Sequence, residues 1–152
     1  MVRLIRQRVA FSVVVVGVSG LAGSLLAQER SISDGVYTTE QAARGKREYT
    51  QQCATCHSTN LRGGEMAPGL VGQTFISGWS GETLWNFADF TNVTMPQDAP
   101  GNLSTQGLND VIAFILSSND YPAGDDELSL DLENEGDPIM IDYTIQVFSD
   151  AG

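Results

Sequence analysis

The chain is short of several residue types, and each shortage narrows its chemistry. Its 152 residues contain two cysteines and one histidine. A zinc site needs four donors, or three and a water, and no further Cys or His is available beyond Cys53, Cys56 and His57. Basic residues are also scarce. Eight Lys and Arg face nineteen Asp and Glu, and three of the eight, Arg3, Arg6 and Arg8, lie in the first eight residues. Beyond those, five remain against nineteen, a net charge of −14. Such a surface repels nucleic acid and anionic lipid and disfavours an acidic partner. There is no internal repeat, and alternating strand-like patterning is confined to the far C-terminal part.

The length fits one domain with additions at its ends. "MVRLIRQR" is basic and without acid; "VAFSVVVVGVSGLAGSLLA" is apolar, small and uncharged. A basic start, an apolar stretch and a small-residue exit describe an export signal over residues 1–27. Cleavage is expected after Ala27, with Ala22 and Ser24 as other exits. The alternative is an uncleaved anchor, since Val9 to Gln28 is nearly long enough to span a bilayer; Gly17, Gly20 and Gly23 weaken that span. Either way the remainder is expected outside the cytoplasm, in the periplasm, touching a membrane only if the leader is retained.

Residues 28–37, with "SISDGVY", read as a loose lead-in. "TTEQ" then offers a capping box, Thr38 as N-cap and Gln41 three residues on. It predicts a helix from Thr39 to about Gln52, with Ala42, Gly45 and Tyr49 on one face. Residues 58–78 are rich in Gly and broken by Pro68, so they read as loop. Ser80 is the expected cap of a short helix, "GETLWNFADF", with Leu84, Phe87 and Ala88 inward and Trp85 at the margin. "TNVTMPQDAPGN" reads as loop again. Ser104 caps a helix over Thr105–Ser118, in which Leu108, Val111, Ile112, Ile115 and Leu116 form a buried stripe. "DDELSLDLENEGD" reads as a solvated acidic tail. Ile139 to Val147 alternates like a strand, which must pair with something or lie across the domain.

"CATCH", residues 53–57, gathers every Cys and His of the chain. A disulfide redox site would use Cys-x-x-Cys, but such sites open a helix in a strand-rich fold; here a helix precedes the motif. Covalent c-type haem attachment accounts for all three residues at once. Each thiol adds to a vinyl of one haem, and His57 is placed under the iron. With no second His, bis-histidine ligation is excluded. Met66, Met95 and Met140 are the remaining donors. Met95, held before a proline and ahead of the strongest helix, is the expected sixth ligand, since thioether commonly partners histidine in electron-transfer haems. Met66 and Met140 read as gap fillers of a core.

The ordered set "CATCH", "MAPGL", "TMPQDAPGNLS" and "DVIAFIL" resembles the class I cytochromes c from about Thr38 to Leu128. More narrowly, "MPQDAPGNLS…DVIAFILSSNDYPAGDDEL" is similar to small periplasmic cytochromes c associated with quinoprotein alcohol dehydrogenases. The resemblance implies an all-α fold of three or four helices around one covalent haem c. A cytochrome domain would cover 38–128 and an acidic extension, with a strand, 129–152. It implies thioethers at Cys53 and Cys56 and axial bonds from His57 and Met95. It also implies a Pro68 carbonyl accepting the His57 Nδ1–H, and a helix crossing at Gly45 and Tyr49 near Phe114. Trp79 matches a position near the haem, with a core aromatic as the alternative; Arg62 could meet a propionate or face water. Leu108 departs from the family, whose members often have Tyr there, and the tail lies outside the common domain.

The expected function is one-electron transfer rather than catalysis. Donor and acceptor would be a dehydrogenase, a quinoprotein by the resemblance, and a terminal oxidase or reductase, with a basic or neutral docking face. Two alternatives stand beside it. One is a five-coordinate haem acting as sensor or peroxidase. The other is a haem or docking subunit of a quinoprotein dehydrogenase complex, attached through its tail.

Overall fold

The computed structural model describes residues 30–134 and 138–142. The expected leader, residues 1–27, lies outside them. In chain order come strand β1 (Arg30–Ser31), a 3-10 turn (Ile32–Asp34), helices α1 (Thr39–Gln52), α2 (Ala54–His57), α3 (Gln73–Trp79), α4 (Leu84–Thr94) and α5 (Thr105–Ser118), and strand β2 (Ile139–Met140). The fold is all-α, with a two-stranded parallel sheet as its only one among the described residues. Five α-helices exceed the expected three or four.

α1 and α5 form the central crossing. Thr38 is extended and its hydroxyl accepts from the Gln41 N–H at 3.1 Å, so the expected cap is present. The reciprocal half of the box is not. The Gln41 amide is buried and pairs with the Leu128 backbone instead, donating to its carbonyl at 2.8 Å and accepting from its N–H at 2.7 Å. Ala42, Gly45 and Tyr49 are buried as the spacing predicts. At the crossing a Cβ on Gly45 would stand 1.7 Å from the Asp110 carbonyl oxygen. The Tyr49 and Phe114 rings meet with centroids 5.3 Å apart. α5 is capped by Ser104 and buries its whole expected stripe, with Asn109, Asp110 and Ala113 in addition. Arg44 of α1 grips Asp110 in two 2.9 Å bonds and Glu127 in a third.

Three local readings are corrected. The stretch 58–78 is not all loop, because Gln73–Trp79 is helical. Phe75, Ile76 and Trp79 give that helix an apolar face, and its rings lock into α4: Phe75 on Phe87 at 5.5 Å, Trp79 on Phe87 at 4.7 Å. The cap of α4 is Thr83, whose hydroxyl accepts from the Asn86 N–H, while Ser80 closes α3. α4 also continues through Thr94 into the expected loop. The Thr91 and Thr94 hydroxyls bond back to the Phe87 and Phe90 carbonyls, and the helix stops where Pro96 forces Met95 into an extended conformation. Leu84, Phe87 and Ala88 are buried and Trp85 half-buried, as expected.

The ends are tied to the core. Ile32, Val36 and Tyr37, in the expected loose lead-in, are buried. Packing continues across residue 128: Leu128 and Leu130 are buried although Ser129 between them and the acids on either side face solvent. The run "DDELSLDL" is therefore anchored rather than a freely solvated tail. Of the expected strand, Ile139–Met140 pairs in parallel with Arg30–Ser31, and Ile139 and Ile141 are buried. Residues 143–147 of that expectation lie outside the described residues. Among the described residues no helix is long and apolar enough to cross a membrane.

Candidate haem site

α1 ends directly in the attachment motif, with Cys53 as the junction to α2. Cys53 closes α1, its N–H bonding the Tyr49 carbonyl, and opens α2, its own carbonyl accepting from Cys56 and His57 at 3.1 and 3.0 Å. One helical turn thus carries both thiols and the imidazole. Both cysteines are free and half-buried. Burial first, then the nearby Glu48 and Cys56, push the Cys53 thiol up to about 11, so it is neutral at neutral pH.

His57 is buried, 7% exposed. Its Nδ1 lies 2.9 Å from the Pro68 carbonyl oxygen. A carbonyl only accepts, so Nδ1 carries the proton and Nε2 keeps its lone pair. Nε2 makes no hydrogen bond, and no fully buried side-chain nitrogen or oxygen among the described residues lacks a partner, so Nε2 reaches an opening. A tautomer locked by a backbone carbonyl, with the other nitrogen free, is how metal-binding histidines are prepared.

The loop that returns Pro68 to the ring is held by its own backbone. Ser58 takes a positive φ of 66° and Gly63 one of 73°. A Cβ on Gly63 would come within 2.5 Å of the backbone of residues 67–69, so only glycine permits the turn. Gly63 N–H donates to the His57 carbonyl, the Ser58 hydroxyl to the Gly63 carbonyl, and the Tyr49 hydroxyl to the Ser58 carbonyl. Tyr49 is accordingly more than a crossing aromatic. Burial drives its own hydroxyl up to about 12.

Asn119, one residue beyond α5, was not singled out from sequence. Its amide donates to the Leu70 carbonyl at 2.9 Å and accepts from the Gly72 N–H at 2.8 Å, pinning the far end of the same loop. An Asn just past an apolar stripe is an ordinary helix-end signal; its reach to a loop 47 residues away is not.

Met95 lies one residue past α4, half-buried, its N–H bonded to the Thr91 carbonyl at 2.8 Å. Its peptide bond to Pro96 is cis. Trp79 is half-buried and stacks edge-on against α4 through Phe87 and Phe90, the contacts of a core aromatic. His57 and Pro68 are thus joined directly, while Trp79, at the end of α3, packs on α4, the helix that Met95 closes. Met66 is 77% exposed, so it is not the core filler expected from sequence, and Met140 is half-buried in β2. Arg62 is exposed and makes no ion pair among the described residues.

No cluster of three or more His, Cys, Asp or Glu side chains among the described residues could hold a metal ion, which leaves the zinc reading without support. The donor set fits haem: two half-buried thiols and one proton-locked imidazole on a single turn. A family model described as cytochrome C oxidase, cbb3-type, subunit III matches residues 40–115, half of the chain. The chain belongs to this family. It is a class I c-type cytochrome domain, and its cofactor is a covalent haem c, with Cys53, Cys56 and His57 in the attachment spacing. No curated protein and no solved structure matches. A haem-based electron-transfer role follows for the domain.

Proposed function

We propose that the protein is an exported, periplasmic one-electron carrier whose haem is held through Cys53 and Cys56 and ligated by His57 Nε2 and the Met95 thioether. The observation that carries this reading is the His57–Pro68 bond, which fixes the tautomer and leaves Nε2 available beside both thiols. When bound, the haem supplies the one-electron couple of its iron. The residues do the rest. Pro68 orients the imidazole and raises its basicity. Met95 sits after a helix stopped by Pro96, so its backbone is fixed before any bond to the metal forms. A thioether paired with an imidazole on the haem iron would raise its potential.

The oxidase subunit named in the matching family model supports a terminal oxidase as the electron acceptor. The resemblance to cytochromes that accompany quinoprotein alcohol dehydrogenases supports such an enzyme as donor. The acidic surface suits a basic or neutral partner face, and transient redox contacts are small.

Exposure of the reduced protein to CO tests the reading against a sensor or peroxidase. A carrier with both axial positions filled shows no Soret shift at low CO, whereas Met95→Ala shifts readily. Ready binding by the unaltered protein would mean that the sixth position is open, and the carrier reading would fall.

A further inference from the structure

α4 delivers Met95 at one end, and its other end is fastened by segments from outside the family match. Residues 128–134 and 138–142 cross the domain as a strap. Two buried amides hold its first part by paired bonds that mimic a strand ladder: Gln41 with the Leu128 backbone, and Asn109 with the Leu130 backbone, at 3.3 Å to its carbonyl and 3.0 Å from its N–H. Trp85, in the first turn of α4, donates its indole N–H to the Asp131 carbonyl at 2.9 Å. Farther on, Ile141 exchanges backbone bonds with the turn before α4, accepting from Gly81 N–H and donating to the Glu82 carbonyl, both at 2.9 Å. Met140 bridges Thr83, the cap of α4. β2 is itself seated on β1, and Ser31 bonds Asp142.

We propose that this strap is a positioning device for the sixth ligand, with Trp85 and the Ile141 backbone as its contacts on α4. The proposal rests on the Met95 ligation reading. Its physics is that of a lever. Eleven helical residues reach roughly 16 Å, so a tilt of about 10° at the fastened end displaces the far end by roughly 3 Å. Metal–ligand distances tolerate only about 0.2 Å. Fastening the start of α4 therefore decides how firmly its end holds the iron, since the strap's bonds to α4 and its cap all lie at that start.

Imidazole titration of the ferric holoprotein, followed at the Soret band, tests this, because imidazole must displace the resident sixth ligand. Trp85→Phe, which loses the indole donor and keeps an aromatic ring, and a chain ending at Asn134, which loses β2, are compared with the full chain and with Met95→Ala. The expected result is imidazole binding at least fivefold tighter in both strap variants, approaching Met95→Ala. Should the shortened chain fail to fold, Trp85→Phe alone decides. A merely structural strap would lower the urea midpoint and leave imidazole affinity unchanged; that result, with Met95→Ala still binding tighter than the full chain, overturns the proposal alone. If Met95→Ala binds imidazole no better than the full chain, the ligation reading fails, and the strap proposal with it.

Discussion

The two sides of the haem site are built in opposite ways. On the histidine side the ligating turn and the bonds that orient the ring lie within residues 49–69, with Asn119 pinning the far end of the loop. One helix turn presents Cys53, Cys56 and His57, and one Gly-hinged loop brings the Pro68 carbonyl back to the ring. On the methionine side, Met95 is placed by a helix whose own start depends on residues 131 and 141. The first is local chemistry, closed by bonds between near neighbours. The second is global, and its geometry is only as good as the packing of the whole domain. In the proposed carrier the haem is attached through a local element and its sixth ligand is set by a distributed one.

The contrast can be broken most violently at the crossing both sides share. Gly45→Ala drives a methyl into the Asp110 carbonyl from 1.7 Å, against backbone rather than a flexible side chain. A loss of about 3 kcal/mol or more is expected, at the upper end of overpacking costs, read as a fall in the denaturant midpoint of the holoprotein. Next comes the histidine side. Gly63→Ala collides with residues 67–69 and forces a positive φ on alanine. It should cost about 1–3 kcal/mol. By moving the Pro68 carbonyl it should also weaken the imidazole and raise the reduction potential, with the Met95 bond retained. An unchanged potential would show that the Pro68 bond does not tune the ring.

On the methionine side Thr83→Ala removes the α4 cap and should cost about 1 kcal/mol. Its effect should fall on sixth-ligand retention, leaving haem attachment complete by mass spectrometry. The smallest effect concerns Asp131. The Asn134 side chain first, then the Glu133 N–H, hold its carboxyl below the usual carboxylate range. A depressed folded pKa contributes stability above the unfolded value and loses it as pH falls through the folded one. Asp131→Asn should therefore lower stability slightly at neutral pH, leave it unchanged below the folded pKa, and so flatten the acid limb of a stability–pH curve.

The same contrast explains what could be read in the sequence. The five-residue motif and the two capped helices α1 and α5 are short-range patterns with strong residue-type signals, the Pro68 partnership is implied only by the family resemblance, and the structure has each of them. α3 was hidden because Gly72 and Gly78 flank and interrupt it, and its helicity comes from ring packing on α4 rather than from propensity. The strap was hidden for a deeper reason. Gln41 looked like half of a capping box, and only tertiary structure shows its amide spent on a backbone 87 residues away. "DDELSLDL" looked solvated because its charges outnumber the two leucines that anchor it.

The claim at the centre is that His57 and Met95 ligate one haem from these two unlike elements. The far-red absorption of the ferric holoprotein tests it most directly, since a weak band there reports a sulfur-to-iron bond. The band should be present in the unaltered protein, absent in Met95→Ala and present in Met66→Ala. Its absence from the unaltered protein, or its survival in Met95→Ala, would contradict the assignment.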